Sequence, residues 1–385
     1  MRKIVIFFLF LIALFKPSYG FFLGNQDDEG FILYPRHVNE GPDGNIYAYD
    51  EKDSYIKVYS PTGKFLRKIG GPGEGPGYIK RNDGVNFGFT NDNKLFFTEY
   101  FQGHRWITIM NLDGHYQKVV APDIKRGMFG ISKAMALPDG GFIIHAEFMG
   151  GTEKKGRYYL GSNRNVIYKI DSKGAIISKI KEASFFTTLS FEKFGGDLGI
   201  PFSPRCIWDS IKGDAIIYTE GASKNLSILN SEGKLIKEIK TSLPDPIKVT
   251  AMDLKQWRDT MRNSFMVNSH QIEFYKKFGK VIEEYTESVY NQKTMIQSIA
   301  VTPSGNILLT GAINENKEND FWLVSGAGKM LINLKLKIWG LDISKNFLFL
   351  RLKDAEDNEC IYCLKRKGTE VVDLKRCLEV LNKIK

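Results

Sequence analysis

The sequence predicts an all-β protein, a six-bladed β-propeller built from four-stranded antiparallel blades. A unit of four short apolar strands recurs six times along the chain. Tight turns rich in Gly, Asn and Asp join strands one and two, and strands three and four, of each unit. Each unit is apolar on both faces, so it needs a neighbouring sheet on either side, which a closed ring of blades supplies.

Composition and charge are those of an ordinary globular protein. The chain has 385 residues, of which 43% are hydrophobic and 25% charged, which excludes disordered and disulfide-dense classes. Lys and Arg number 54 against 44 Asp and Glu, giving a net charge of +10 without dense basic runs. We therefore expect no nucleic-acid partner.

The first twenty residues have the pattern of a signal peptide. Arg2 and Lys3 precede an apolar run over residues 4–15, which Pro17 ends before the small residues up to Gly20. Such a run covers about 18 Å as a helix, less than the roughly 30 Å of a bilayer core. We expect cleavage, export to the periplasm or the exterior, and no membrane insertion afterwards; an uncleaved anchor is the alternative. Residues 21–385 then form a single propeller domain.

The first unit shows the repeat most clearly. Its first turn is Pro42-Asp43-Gly44-Asn45, its second turn ends at Gly63, and its strands are predicted over residues 35–40, 46–49, 56–59 and 65–69. The later second turns are predicted to end at Gly114, Gly174, Gly233, Gly328 and Gly368. The sixth blade then takes its fourth strand after Gly368. Whether Phe31 to Tyr34 adds a strand that closes the ring stays open.

One segment, about residues 245–295, breaks the β pattern. Apolar residues recur there at helical spacing, first at Leu254 and Trp257 and again from Phe274 to Val289. Thr250 offers an N-cap hydroxyl and Asp253 places an acid in the first turn. We predict two helices inserted between blades four and five.

The string Gly70-Gly71-Pro72-Gly73-Glu74-Gly75-Pro76-Gly77 carries a family resemblance. It follows Gly63-Lys64-Phe65-Leu66-Arg67-Lys68-Ile69, and the segment Gly44-Asn45-Ile46-Tyr47-Ala48-Tyr49-Asp50 precedes both. Together these segments resemble the NHL-repeat pattern, and the mature chain is similar to the exported six-bladed propeller proteins of bacteria. The resemblance implies a fold and a compartment but no particular activity.

The connections at the two ends of the blades differ in length. The first and second turns of each unit lie at one end and are short. The connections between strands two and three, and between blades, lie at the other end and include the long stretches 70–84, 181–204 and 241–296. Because loops on a rigid scaffold usually carry binding groups, we expect ligands at this long-loop end.

Candidate binding residues lie where the innermost strands begin at that end. Arg36, Arg205 and Gln297 each stand eight residues before the glycine of a first turn. Equivalent positions in a ring converge at its axis, so these donors, together with Lys337 and Trp339, are predicted to surround an opening that favours a carboxylate, sulfate or phosphate group. The alternative is that each Arg pairs with an acid and ties blades together.

Four cysteines, Cys206, Cys360, Cys363 and Cys377, follow the predicted signal peptide. In an exported chain an even number permits disulfides. A zinc site at Cys360-x-x-Cys363 would need two further ligands at suitable spacing, and no second CxxC or His pair accompanies it. One disulfide and four free thiols both remain open.

These observations favour a non-catalytic exported propeller, a monomer without cofactor, that binds a protein, peptide or glycan on its long-loop face. The sequence contains no GxSxG or HExxH motif, and we predict no catalytic residue and no metal ligand set. The alternative is a metal-dependent lactonase, hydrolase or lyase, because propellers similar to this one include such enzymes. A third possibility is a structural subunit of an envelope assembly that uses the helical insertion as its contact.

Overall fold

The computed structural model describes residues 20–24, 29–75, 77–80, 84–100, 105–124, 127–155, 158–191, 197–211, 214–265, 290, 292–313, 318–353 and 359–384. Their strands are, in chain order, β1 Gly20–Leu23, β2 Pro35–Glu40, β3 Ile46–Asp50, β4 Tyr55–Tyr59, β5 Phe65–Gly70, β6 Val85–Phe89, β7 Leu95–Glu99, β8 Ile107–Met110, β9 Tyr116–Val120, β10 Met128–Ala136, β11 Phe142–Lys155, β12 Tyr158–Ile170, β13 Ile176–Phe191, β14 Asp197–Gly199, β15 Ile207–Ser210, β16 Ile216–Thr219, β17 Asn225–Leu229, β18 Leu235–Lys240, β19 Ile296–Val301, β20 Ile307–Ile313, β21 Asn319–Val324, β22 Met330–Leu336, β23 Gly340–Ile343, β24 Phe347–Lys353 and β25 Glu359–Lys365. The predicted signal segment 1–20 lies outside the described residues except for Gly20.

The strands form six antiparallel sheets. Sheets one, two, four and five are β2–β5, β6–β9, β15–β18 and β19–β22. Sheet three has five strands, β10–β14, and sheet six has the order β1-β25-β24-β23. The four strands predicted for the first unit agree with β2–β5 to within one residue at each end.

The sheets are arranged in a cycle. First strands of neighbouring sheets contact each other, as β2 does with β6 and β15 does with β19. Six apolar clusters each join two sheets that follow one another along the chain, and the last joins sheet six to sheet one. Alternate residues of one strand serve opposite clusters: Ile143 packs toward sheet four and Ile144 toward sheet two. This is the architecture of a β-propeller.

The glycines of the second turns recur because these turns pack closely against the neighbouring sheet. Gly233 and Gly328 have φ of 80° and 88°, which disfavours other residues. A Cβ atom on either would lie 2.3 Å from a backbone oxygen of the preceding sheet, that of Ile180 or of Lys240. Each such turn therefore lies directly against the outer strand of the neighbouring sheet.

Sheet six is completed from the other end of the chain. Strand β1 pairs antiparallel with β25, with Gly20 opposite Leu364 and Leu23 opposite Ile361. This differs from the sequence prediction, which placed the fourth strand after Gly368 and considered Phe31 to Tyr34 for closure. The residues after Gly368 form a helix, and Phe31 to Tyr34 are not in a strand.

Residues 31–34 are held by a buried ion pair of sheet one. The Asp50 carboxylate accepts hydrogen bonds from the backbone N–H groups of Leu33 and Tyr34, both at 2.9 Å. Lys57 Nζ lies 2.7 Å from Asp50 Oδ2 and also donates to the Phe31 carbonyl. Both charged side chains are almost fully buried, and Lys57 Nζ also lies 2.8 Å from Asp53 Oδ2, so the buried charges are paired.

Two helices accompany the sheets. Helix α1, Ala251–Phe265, stands between β18 and β19, and the Thr250 hydroxyl accepts from the Asp253 N–H at 3.3 Å, which confirms the predicted N-cap. The second predicted helix, from Phe274 to Val289, falls outside the described residues. Helix α2, Glu370–Ile384, was not predicted; its Leu374 and Cys377 pack into the cluster between sheets five and six. No helix in the described ranges is long and apolar enough to cross a bilayer.

Truncating Leu23 tests the closure. Leu23 is 2% exposed in the cluster that joins sheets six and one, so Leu23→Ala should lower the free energy of unfolding by about 3 kcal/mol in urea titrations. Leu33→Ala is the matched control, because Leu33 is 45% exposed and lies in the segment considered for closure from sequence. Equal losses for the two variants would contradict closure by β1.

Candidate functional site

A cavity of about 720 Å³ opens where the first strands begin. Its wall includes His37 of β2, Lys133 of β10, Trp208 of β15 and Ser298 of β19, so it lies where four sheets converge. The tight first turns are at the opposite ends of these strands. We call this space the axial cavity; its wall also contains Tyr100, His145, Glu147, Arg205, Cys206 and Gln297.

A second cavity of about 1010 Å³ adjoins it, between helix α1 and sheets four and five. Arg205 and Gln297 line both cavities, so the two spaces share a wall. We call the second space the α1 groove, and its wall also contains Phe202, Trp257, Met295, Asp320 and Trp322. Two of the predicted binding residues therefore stand at the junction of both spaces.

The two equivalent arginines have different surroundings. Arg36 pairs with Glu51 and has Nη1 3.8 Å from Glu359 Oε2, and its guanidinium lies over the Tyr34 ring. Its carbonyl accepts a hydrogen bond from Arg351 Nη1 at 2.7 Å. Arg36 thus links sheet one to sheet six. This is the alternative interpretation of the sequence, in which each Arg pairs with an acid and ties blades together.

Arg205 lies fifteen residues before Glu220, the same separation as Arg36 from Glu51. Its backbone N–H donates to the Glu220 carbonyl at 3.3 Å, but the two side chains do not pair. The Glu220 carboxylate instead accepts from the Tyr218 hydroxyl at 3.2 Å and lies 3.9 Å from Lys181 Nζ. Arg205 is exposed, and its guanidinium makes no hydrogen bond or ion pair with any described residue.

Lys337 and Trp339 lie on the segment between β22 and β23, and both are exposed. The Lys353 ammonium is 5.4 Å from the centre of the Trp339 ring. Neither residue lines the axial cavity or the α1 groove. The structure therefore groups Arg205 with Gln297 and leaves Arg36, Lys337 and Trp339 elsewhere on this end of the molecule.

Other polar groups of the axial cavity already have partners. Lys133 Nζ donates to the Trp208 carbonyl at 2.7 Å and lies 3.2 Å from Asp209 Oδ1. The Tyr100 hydroxyl donates to Glu147 at 2.6 Å. Because its ammonium is bound in this way, Lys133 is less available to a ligand than Arg205.

Sequence reasoning missed the acid of the axial cavity, Glu147, although a signal was present. Glu51, Glu99, Glu147 and Glu220 each stand seven residues after the same position of a first turn. Three of them lie at or just after the end of a second strand, and Glu147 lies within the longer strand β11. Counting forward as well as backward from the turns would have found them.

His145 is a buried, neutral imidazole on the wall of the axial cavity. Its Nε2 lies 3.0 Å from Asn165 Oδ1, so Nε2 carries the proton and donates to the amide oxygen. Burial lowers the pKa of His145, and Glu147 opposes that shift while Lys133 adds to it. His37 lines the same cavity, but it is exposed.

All four cysteines are free thiols. Cys360 and Cys363 are three residues apart on β25, so they point to opposite faces and cannot bridge. Burial raises the pKa of Cys206 to about 12, so its thiol is protonated at neutral pH. Over the described residues, no group of three His, Cys, Asp or Glu side chains is placed to hold a metal ion.

No protein-family model matches the chain, and no curated protein matches its sequence. Solved structures do match its fold. A protein of Bacteroides fragilis NCTC 9343, described as exported, has 12% identity and a TM-score of 0.51 over 91% of this chain and 95% of its own. Similarity at this identity shows the fold alone.

Two further structures have TM-scores below 0.5. Virginiamycin B lyase from Staphylococcus aureus has 12% identity and a TM-score of 0.43, covering 90% of this chain and 98% of its own. A gluconolactonase from Xanthomonas campestris has 9% identity and a TM-score of 0.45, covering 87% and 86%. Neither match says anything about a reaction of this chain.

The pH dependence of the free energy of unfolding should show the effect of protonating His145. Because its folded-state pKa is below the ordinary value near 6.5, the unfolded chain binds the proton more readily, and stability falls as pH drops below about 6.5. Urea titrations between pH 7.5 and 5 should show a loss of up to about 1.4 kcal/mol per pH unit from this group. His145→Asn keeps a polar partner for Asn165 and should reduce the slope. Parallel curves for variant and wild type would contradict this assignment.

Proposed function

We propose that the protein is an exported, six-bladed, NHL-like β-propeller that binds a ligand through an anionic group at Arg205, on its long-loop face. The observation that carries the proposal is the contrast between two equivalent arginines. Arg36 is paired with Glu51, whereas Arg205 faces two cavities without a partner among the described residues. A guanidinium in this position suits a carboxylate, sulfate or phosphate group.

The surroundings support an anion more than a cation. Gln297 adds an amide donor at the same junction. Arg205 has no counter-ion among the described residues, whereas the Lys133 ammonium, which also lines the axial cavity, is paired with Asp209. Export and a monomeric state rest on the sequence alone and stay predictions.

The alternative is an enzyme of the propeller type, a metal-dependent lactonase, hydrolase or lyase. One observation favours catalysis: the neutral His145 imidazole and the Glu147 carboxylate line the same cavity as Arg205, as an acid–base pair would require. Turnover of a lactone panel that depends on added Mg²⁺ or Ca²⁺, and that His145→Asn abolishes, would replace the binding proposal with this one.

Small anions test the proposal directly. Acetate, sulfate and phosphate are titrated at constant ionic strength against chloride, and the midpoint of thermal unfolding is measured. At least one anion should raise the midpoint of the wild type saturably, because a ligand that binds only the folded state stabilises it. Arg205→Met should abolish this rise.

Lys337→Met is the matched control, because it removes one positive charge from the same end of the molecule outside both cavities. It should leave the effect of the anions unchanged. Arg36→Met should lower stability but keep the response to anions, since Arg36 links two sheets. An undiminished rise in Arg205→Met would rule the proposal out.

A further inference from the structure

We infer that the α1 groove, together with Arg205, is a peptide-binding site: it takes a short peptide with a free carboxylate at Arg205, a main-chain carbonyl at the Trp322 indole and a positive group at Asp320. This inference rests on the proposed function, since it uses the same arginine. It adds the chemical class of the ligand and the remaining contacts.

The first argument is a buried donor without an acceptor. Trp322 is 4% exposed and its ring lines the groove, yet Nε1 has no acceptor among the described residues. A buried N–H normally has a partner, because an unpaired one has lost its hydrogen bond to water without gaining another. Because Nε1 itself is buried, an amide carbonyl of a ligand in the groove reaches it only when the side chains that cover it move on binding.

The second argument is a pair of opposite charges on one cavity wall. Asp320 is half-buried and stands two residues before Trp322 on β21, so both side chains leave the same face of the strand. Its carboxylate makes no hydrogen bond or ion pair with any residue that the structure describes. Arg205 is likewise unpaired within the described part of the chain, so the groove presents one uncommitted negative and one uncommitted positive group.

The third argument is the apolar wall. Trp257 of α1, Met295 and Phe202 line the groove together with these polar groups. Phe202 has a φ of 62°, unusual for a bulky residue, and its carbonyl accepts from the Thr294 hydroxyl at 3.4 Å. Strained residues of this kind cluster at binding sites, where the surroundings hold them in place.

Together these features select a peptide over other ligand classes. A neutral sugar satisfies neither charge, and an acidic sugar leaves Asp320 unmatched. An inorganic anion leaves the apolar wall unused. A peptide brings a carboxylate, amide carbonyls, apolar side chains and an ammonium group, and the volume of about 1010 Å³ is at the upper end for small-ligand sites, with room for several residues.

A tetrapeptide library of random sequence is the probe. The full-length protein is immobilised and offered the library in two forms, with free or amidated C-termini, and retained peptides are quantified by mass spectrometry. The wild type should retain free acids about three- to tenfold more than amides. The preference should fall to about one in Arg205→Met.

Further variants separate the contacts. The same library is also offered with free or acetylated N-termini; the wild type should prefer free N-termini, and Asp320→Asn should lose that preference while keeping the preference for free acids. Trp322→Phe, which keeps an aromatic ring in the core, should weaken retention of both forms equally, by about two- to tenfold. Lys173→Met, which removes an exposed charge at a second turn on the far end, is the control and should behave as wild type.

The outcomes distinguish this inference from the proposed function. If small anions act through Arg205 but peptides are not retained, or acids and amides are retained equally, the peptide inference is wrong and the proposed function stands. If an acidic oligosaccharide is retained and peptides are not, the ligand of this site is a glycan and the peptide inference is wrong. If the wild type shows neither the anion effect nor peptide retention, both proposals are wrong.

Discussion

The structure depends on closing a ring of sheets whose faces are all apolar. Each sheet is buried on both sides only if the last one meets the first, and the closing sheet needs an outer strand. Strand β1 supplies that outer strand. It also packs against the second turn of sheet one, as the outer strands of other sheets pack against later second turns. A Cβ atom on Gly63 would lie 2.5 Å from the Phe21 ring of β1, as those on later second-turn glycines would meet an outer strand. The first and last parts of the chain are therefore one structural unit.

A second constraint follows from the repeat itself. An arginine at the start of the first strand and a glutamate just after the second strand recur at the same separation in sheets one and four. In sheet one they pair, and the pair joins the ring closure through Arg351 and Glu359. In sheet four the Glu220 carboxylate contacts Tyr218 and Lys181 and does not pair with Arg205. The same pair of residue types therefore links two sheets at one position of the repeat and leaves the arginine unpaired among the described residues at the other.

Much of the fold was predictable because it depends on local patterns. Turn residues and alternation located the strands of the first unit to within one residue, and Thr250 with Asp253 located the start of α1. The closure of the ring was not predictable, because antiparallel pairing of Gly20–Leu23 with β25 joins segments more than three hundred residues apart. The helix after Gly368 was mistaken for a strand because its glycine matched the spacing of the turns. Similarly, residues 181–191 belong to the predicted connection 181–204, yet they extend β13.

The site was predictable only in part for a related reason. The repeat offset found Arg36, Arg205 and Gln297, but it could not tell which arginine is paired, since sequence separation does not fix side-chain contacts. Like that of Arg36, the backbone of Arg205 is hydrogen-bonded in the absence of a ligand. Its N–H is bonded to the Glu220 carbonyl, and the Thr294 hydroxyl donates to the Ser203 carbonyl at 3.1 Å. Because the main chain around it is already ordered, binding there costs mainly side-chain entropy, which favours affinity.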